Sequence, residues 1–320
     1  MNSRSLLAAA ALAAAACQAA GQGFPTRPVT LISPFPPGGS TDTTARIIAE
    51  RMRAPLGQSV VVENVGGAGG TIGVGRVARA APDGYTLDIG QWDTHVGNII
   101  FPLNYDLQKD FEPIGLMTIN PQLLIARRNF PANDLRAMVA WMKANPGQAT
   151  LVEQTAAAKI AGIQMMQATG TEVQFIPFRG SGPAMQAMLG EQVDLMILQA
   201  AAVMPQARAG TVKILANLSP RRSQVIPDVP TSDEAGVPGW YAAGWFALFA
   251  PRGTPRDVVT KLNRAMVDTL ADPAVRKRLA DLGLDIAPRE QQSPEGLAAF
   301  HKAETDKWWP VIKAANIKVE

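Results

Sequence analysis

Val29-Thr30-Leu31-Ile32, then Pro34-Phe35-Pro36-Pro37-Gly38-Gly39, then Ser40-Thr41-Asp42: the order of these three pieces decides the fold class. The first is a short β-rich run. In the second, prolines hold the chain extended and offer no N–H, while two glycines free it to turn. In the third, Ser40 and Thr41 supply caps and Asp42 an acidic first turn for a helix expected to reach about Met52. Strand, Pro/Gly turn, helix is the opening of a βαβ unit. The pattern repeats at once. Residues 59–63 read as a second strand, Gly66-Gly67-Ala68-Gly69-Gly70 interrupts it, and a helix resumes to about Ala80. Pro82-Asp83-Gly84 then turns the chain into a third strand over residues 85–89. Strands separated by helices predict parallel α/β architecture.

The rhythm resumes downstream. Strands are expected at 123–126, 149–153, 173–178, 193–198 and 212–218, with helices at 134–144, 156–168, 183–189 and 203–209. Residues 221–239, broken by prolines, read as an irregular connector. One more strand, 244–249, precedes a helical last third. Thr254-Pro255 with Asp257, Asp272-Pro273 and Ser293-Pro294 each read as a cap followed by a first-turn proline. The break between the two series predicts two α/β lobes joined by more than one crossing. One lobe is expected to combine residues 24–122 with 250–320 and the other to span 123–249, the strands near Leu123 and Trp245 crossing between them.

Residues 1–23 are not expected to belong to the fold. Arg4 precedes an apolar run over 6–16 that is too short to span a bilayer, and small residues follow to Gly23. This reads as a secretory signal peptide with cleavage after Ala19, Gly21 or Gly23. Small residues before Cys17 resemble a lipoprotein box, but Ala14 stands where such boxes favour Leu, so soluble export is the reading and a lipid anchor the secondary one. The 320 residues carry 30 Lys plus Arg against 27 Asp plus Glu, a balance that implies no nucleic-acid partner. Two His and one Cys leave nothing for a zinc cluster or a Cys–His pair, so neither cofactor nor metal is expected.

The candidate chemistry lies in the loops. Phe35, Gly38, Gly39 and Ser40 supply N–H groups near a helix start, and Ser40 and Thr41 add hydroxyls; such a turn holds a carboxylate or is simply a strand-to-helix turn. Gly67, Ala68 and Gly69 superficially resemble a dinucleotide fingerprint. They follow the second strand rather than the first, so a small anion against bare backbone fits better. Trp92 and Thr94 follow the third strand, where Trp92 either walls a ligand or fills a core. Gln154 and Thr155 end a later strand and serve either a polar ligand or a helix cap. Phe178-Arg179-Gly180-Ser181 repeats the Gly-rich grammar, with Arg179 a fork for a second carboxylate or a surface charge. No Gly-x-Ser-x-Gly elbow occurs, His95 and His301 lie in no metal motif, and His301 reads as solvated. Nothing asks to be catalytic, and no enzyme is expected.

Phe24-Pro25-Thr26-Arg27-Pro28-Val29-Thr30 with the 34–42 segment resembles the opening of the periplasmic substrate-binding proteins of tripartite tricarboxylate transporters, the Bordetella-uptake-gene family. The likeness continues through Val61-Val62-Glu63-Asn64, Gly67-Ala68-Gly69-Gly70, Pro82-Asp83-Gly84-Tyr85, Pro227-Asp228-Val229-Pro230-Thr231, Ala250-Pro251 with Gly253-Thr254-Pro255, and Lys307-Trp308. The resemblance implies a two-lobed type II periplasmic binding fold, with a ligand in the cleft between two mixed-sheet α/β domains. It implies a small carboxylate as ligand: a di- or tricarboxylate, an amino acid or an aromatic acid. Main-chain amides of 35–41 and 66–70 would hold one carboxylate, and 178–182 would face them from the other lobe. The implied partner is a two-subunit membrane permease, with the receptor a monomer in the periplasm. A sensing adaptor for a two-component system is the alternative. One departure stands out: Ala156-Ala157-Ala158-Lys159 replaces a Gly/Ser-rich segment and a His-Leu-like pair.

Overall fold

The computed structural model describes residues 23–154, 156–178, 181–223 and 226–314, so the expected export segment with Cys17 lies outside the described residues. Strand β1 (Val29–Ser33) pairs in parallel with β2 (Val60–Asn64) on one side and β3 (Thr86–Gln91) on the other. Helices α1 (Ser40–Leu56) and α2 (Thr71–Ala78) make the crossovers. Helix α1 passes the expected end at Met52 and stops at Gly57, whose φ of 71° only glycine adopts freely. After β3 comes one short helical turn, α3 (Trp92–His95).

Strand β4 (Phe111–Arg127) joins the two halves of the molecule. From Phe111 to Pro121 it pairs antiparallel with β9 (Ala243–Pro251), which itself pairs antiparallel with β3. From Gln122 onward it pairs instead with β7 (Leu195–Gln199) on one side and β8 (Val212–Asn217) on the other. Strand β5 (Thr150–Glu153) then links β7 to β6 (Gln174–Pro177) in parallel. The short β10 (Asp285–Ile286) pairs with the first part of β4. Pro121, which has no N–H for a ladder, sits at the handover. The sequence reading found only residues 123–126 of this strand. Pro113, Gly115 and Pro121 hid the rest, and bulges around Pro113–Gly115 and Leu116–Thr118 absorb the irregularity.

The return crossing lies earlier than expected. Residues 243–249, assigned by the sequence reading to the second lobe, pair with β3 and β4 of the first sheet. Ala242 still belongs to the second half, its N–H donating to Leu218 O at 2.8 Å.

The remaining helices are α4 (Leu135–Ala144), α5 (Ala156–Thr169), α6 (Ser181–Leu189), α7 (Ala200–Arg208), α8 (Arg256–Ala271), α9 (Pro273–Asp281) and α10 (Pro294–Ala314). Around the first sheet, Ile48, Met52, Leu262 and Met266 fill one core, and Trp92, Phe111, Trp245, Phe249 and Trp308 fill another. In the second half Leu124 joins one core while Leu123 and Ile125 join the other, the period-two alternation of a strand covered on both faces. Asp272 caps α9 as expected, accepting from the N–H groups of Ala274 and Val275. Thr254 does not cap α8. Its buried hydroxyl donates back to Pro251 O at 2.7 Å, and Pro255 is the N-cap. His301 is not solvated either. Leu297, His301, Thr305, Trp308 and Ile312 form the buried face of α10, and His301 Nε2 donates to His95 O at 2.8 Å. Among the described residues no helix is long and apolar enough to cross a membrane.

Candidate functional site

A cavity of about 560 Å³ opens where β4 passes from one sheet to the other. It lies off the C-terminal ends of β1, β3, β5 and β7, where an open parallel sheet presents loops and helix starts. Asn120 and Gln122 line it on either side of Pro121.

The first wall is the start of α1. Gly38, Gly39, Ser40 and Thr43 face the cavity. Gly39 is the N-cap and has no side-chain cap bond, so the first-turn N–H groups of α1 carry the positive end of a 17-residue helix. Gly38 is not a free donor, contrary to expectation: its N–H donates to Asp42 Oδ2 at 2.9 Å. Asp42 also accepts from Arg46 Nε at 3.0 Å and from Asn64 Nδ2 at 2.9 Å. The same Asn64 amide donates to Phe35 O at 3.0 Å. Arg46 holds the Asp42 carboxyl well below its usual range, at about 2, and the Gly38 and Asn64 bonds reinforce it against the cost of burial. Phe35 therefore belongs to the frame of the loop and does not line the cavity.

Thr41 points inward. Its hydroxyl donates to Gln91 Oε1 at 2.9 Å, and Gln91 Nε2 turns toward Asp93 Oδ2 at 3.4 Å. Gln91, Trp92 and Asp93 line the cavity. Thr94 lies behind them, fully buried, in a capping box with Gln91. Trp92 is 5% exposed and meets Trp308 edge-on at 5.3 Å in the core, while one face of it forms part of the cavity wall.

Gly67, Ala68 and Gly69 are off the wall. All three have positive φ, as does Gly70, in a tight left-handed turn. A Cβ on Gly67 would meet Ile72 at 2.7 Å, and one on Gly69 would meet the Phe101 ring at 2.8 Å. On the side a Cβ would occupy, the space at Gly67 and Gly69 is filled by protein. The turn buttresses the first loop, since a Cβ on Gly66 would touch Pro36 at 3.4 Å.

From the second half, Gln154 lines the cavity, with its Nε2 donating to Ile197 O at 2.7 Å. Ser181, first residue of α6, also faces it. Phe178 does not: it packs with the core around Leu123 and Ile125. Thr155 and Arg179 lie outside the described residues. Ala157 and Ala158 make the wall apolar at the departure noted in the sequence, while Lys159 turns to Glu153 at 2.9 Å.

Among the described lining residues Asp93 alone has an ionisable side chain; the other polar side chains are amides, hydroxyls and indoles. Burial pushes its carboxyl up to about 6. Trp92 Nε1, Asn120 Oδ1 and Gln154 Oε1 find no hydrogen-bond partner among the described residues. Trp245 and Trp308 line the cavity and lean on Glu304 behind them, and burial raises that carboxyl as well. The sequence reading missed Asp93, Asn120, Gln122 and Gln199 as lining groups. Asn120 and Gln122 flank a proline in the part of β4 that it did not see.

Residues 44–317 match the family described as "Tripartite tricarboxylate transporter family receptor". "Protein BugT" of Bordetella pertussis is 35% identical, over 93% of this chain and 92% of its own length. The solved structure of MatC from Rhodopseudomonas palustris with bound malate is 40% identical and superposes with a TM-score of 0.76, covering 90% of this chain and all of that one. A second R. palustris structure, with adipate, is 31% identical with a TM-score of 0.79, covering 92% and 99% of the two chains. The fold is thus that of a two-lobed binding protein, and the chain is a solute-binding receptor rather than an enzyme. By sequence and by fold it belongs to the tripartite tricarboxylate transporter family receptors.

Proposed function

We propose that this chain is a periplasmic receptor that captures a small carboxylate for a two-subunit tricarboxylate-type permease. One observation carries the reading: the uncapped first turn of α1 opens onto a cavity bounded by both sheets. Backbone dipoles of Gly39, Ser40 and Thr41 then hold one carboxylate without a buried cation. Linear dicarboxylates suit a cavity of about 560 Å³, and malate and adipate occupy two of its solved relatives. Residues 24–121 with 243–314 act as one lobe and 122–242 as the other, hinged where β4 and β9 cross. Gln154 and Ser181, with Thr155 and Arg179 near them in the chain, read the distal end from the second lobe. Contact from both lobes is required, because a ligand held by one lobe alone does not favour closure. The receptor works as a monomer.

The test is a thermal-shift and calorimetric screen of malate, adipate, citrate, aspartate and benzoate on the mature protein. A ligand at 100 times its Kd stabilises the folded state by about 2.7 kcal/mol, a readily measured rise in Tm. No shift and no heat with any carboxylate would remove the reading.

A further inference from the structure

The cavity holds a negative group where a carboxylate is to bind. Asp93 lines it, no cation among the described lining residues opposes it, and beside its own backbone N–H the Gln91 Nε2 stands 3.4 Å away. Gln91 Oε1 accepts from the Thr41 hydroxyl at 2.9 Å, and its Nε2 faces Asp93. Thr41 is itself in the first turn of α1. A run of polar side chains, the Thr41 hydroxyl, the Gln91 amide and the Asp93 carboxylate, thus connects the first turn of α1 to the cavity wall. An ionised carboxylate only accepts hydrogen bonds. A ligand group beside it is repelled if anionic and held if it donates.

We propose that Asp93 is a specificity-determining residue that selects carboxylates bearing a hydrogen-bond donor, a hydroxyl or an ammonium, on a carbon close to the anchored carboxylate. The assignment rests on the receptor reading above and sharpens it from carboxylates to hydroxy- or amino-carboxylates. Burial supports it independently: Asp93 is pushed up to about 6, so a donor that satisfies the ionised form recovers part of that cost. Charge-assisted hydrogen bonds of this kind correspond to roughly 10- to 100-fold in affinity.

Calorimetry at pH 7.5 on the full mature protein compares ligands that differ only in the donor. The sets are succinate, malate and aspartate, and glutarate, 2-hydroxyglutarate and glutamate. In the wild type at least one donor-bearing acid should bind about 10-fold or more tighter than its plain diacid. In Asp93→Ala that ratio should collapse to within about 3-fold, with the plain diacid binding tighter than before. Asp93→Asn separates the two donors. If the wild type prefers the amino acid and Asp93→Asn loses about 10-fold or more of that affinity, the donor is an ammonium; if the wild type prefers the hydroxy acid and Asp93→Asn retains it, the donor is a hydroxyl. Melting curves establish that each variant is folded, and the wild-type ratio can overturn the assignment even if neither variant is. Plain diacids binding as tightly as their substituted partners would overturn the assignment, as would a ratio unchanged in both folded variants. Absence of binding by every carboxylate would instead overturn the receptor reading, and the Asp93 assignment with it.

Discussion

Gly38 and Asp42, four residues apart, share a hydrogen bond in which the glycine N–H donates to the carboxylate at 2.9 Å. The bond reverses the role expected for Gly38. Its N–H shapes the loop, and Asp42, which sits in the first turn of α1, carries its charge away from the cavity toward Arg46 and Asn64. The helix start keeps its positive end for a ligand because the acidic residue nearest to it is already paired.

Asp42→Ala should therefore harm both stability and binding. Arg46 holds the folded-state pKa at about 2, against 3.8 for the free group. The stabilisation is fully present above about pH 4 and is lost as pH falls toward 2; it amounts to about 2 kcal/mol. Denaturant titration at pH 7 should show a loss of about that size, narrowing at pH 3. Carboxylate affinity should drop by about 10-fold as the loop loosens. A variant with unchanged stability at pH 7 would refute this role.

Gly69→Ala tests the second loop. Its φ is 62°, and the added Cβ would lie 2.8 Å from the Phe101 ring. Left-handed strain and the clash together should cost about 2–4 kcal/mol, read as a lowered Tm. Removing the ring in Gly69→Ala/Phe101→Ala should relieve the clash component, leaving the two changes non-additive. Additive losses would mean that the ring does not limit the turn.

Much of this was legible from short-range patterns. The βαβ openings, the Asp272 cap and the loop at 34–41 follow from turn chemistry and periodicity that act within a few residues. What escaped reading depends on distant partners. Residues 111–121 form a strand because β9 pairs with them, although Pro113, Gly115 and Pro121 argue locally against it. Asp93 faces a cavity whose other wall is about 60 residues downstream at Gln154. His301 lies among charged neighbours in the chain, yet the spacing Leu297, His301, Thr305, Trp308 marks a helical stripe that had been readable.

His301→Leu should be costlier at high pH than at low. The buried imidazole donates to His95 O, and burial holds its pKa below 6.5. A depressed histidine contributes stability in full above the unfolded value and loses it as pH falls through the folded one. At pH 8 the variant strands the His95 carbonyl and should lose about 1–3 kcal/mol. At pH 5 the wild type alone bears the cost of a buried imidazole that favours charging, so the difference should shrink. A gap that widens on acidification would contradict the assignment.

Asp93→Asn should raise stability in the ligand-free protein, and the sign follows from the opposite direction of its shift. Burial raises this carboxyl from 3.8 to about 6. A group whose folded pKa exceeds its unfolded one opposes folding when ionised. The wild type therefore loses stability as pH climbs from about 4 to about 6, and the full cost persists above that. The shift sets an upper bound of about 3 kcal/mol, reduced to about 1–2 kcal/mol because the side chain is only partly buried at the cavity wall. The asparagine keeps the shape and removes the charge. Its Tm should exceed the wild type's at pH 7.5 and converge with it near pH 4. A saturating hydroxy- or amino-carboxylate should narrow the gap at pH 7.5, because it satisfies the ionised form in the wild type and gives less to the amide. Equal melting temperatures across the whole range would show that Asp93 ionises freely and carries no strain into the cleft.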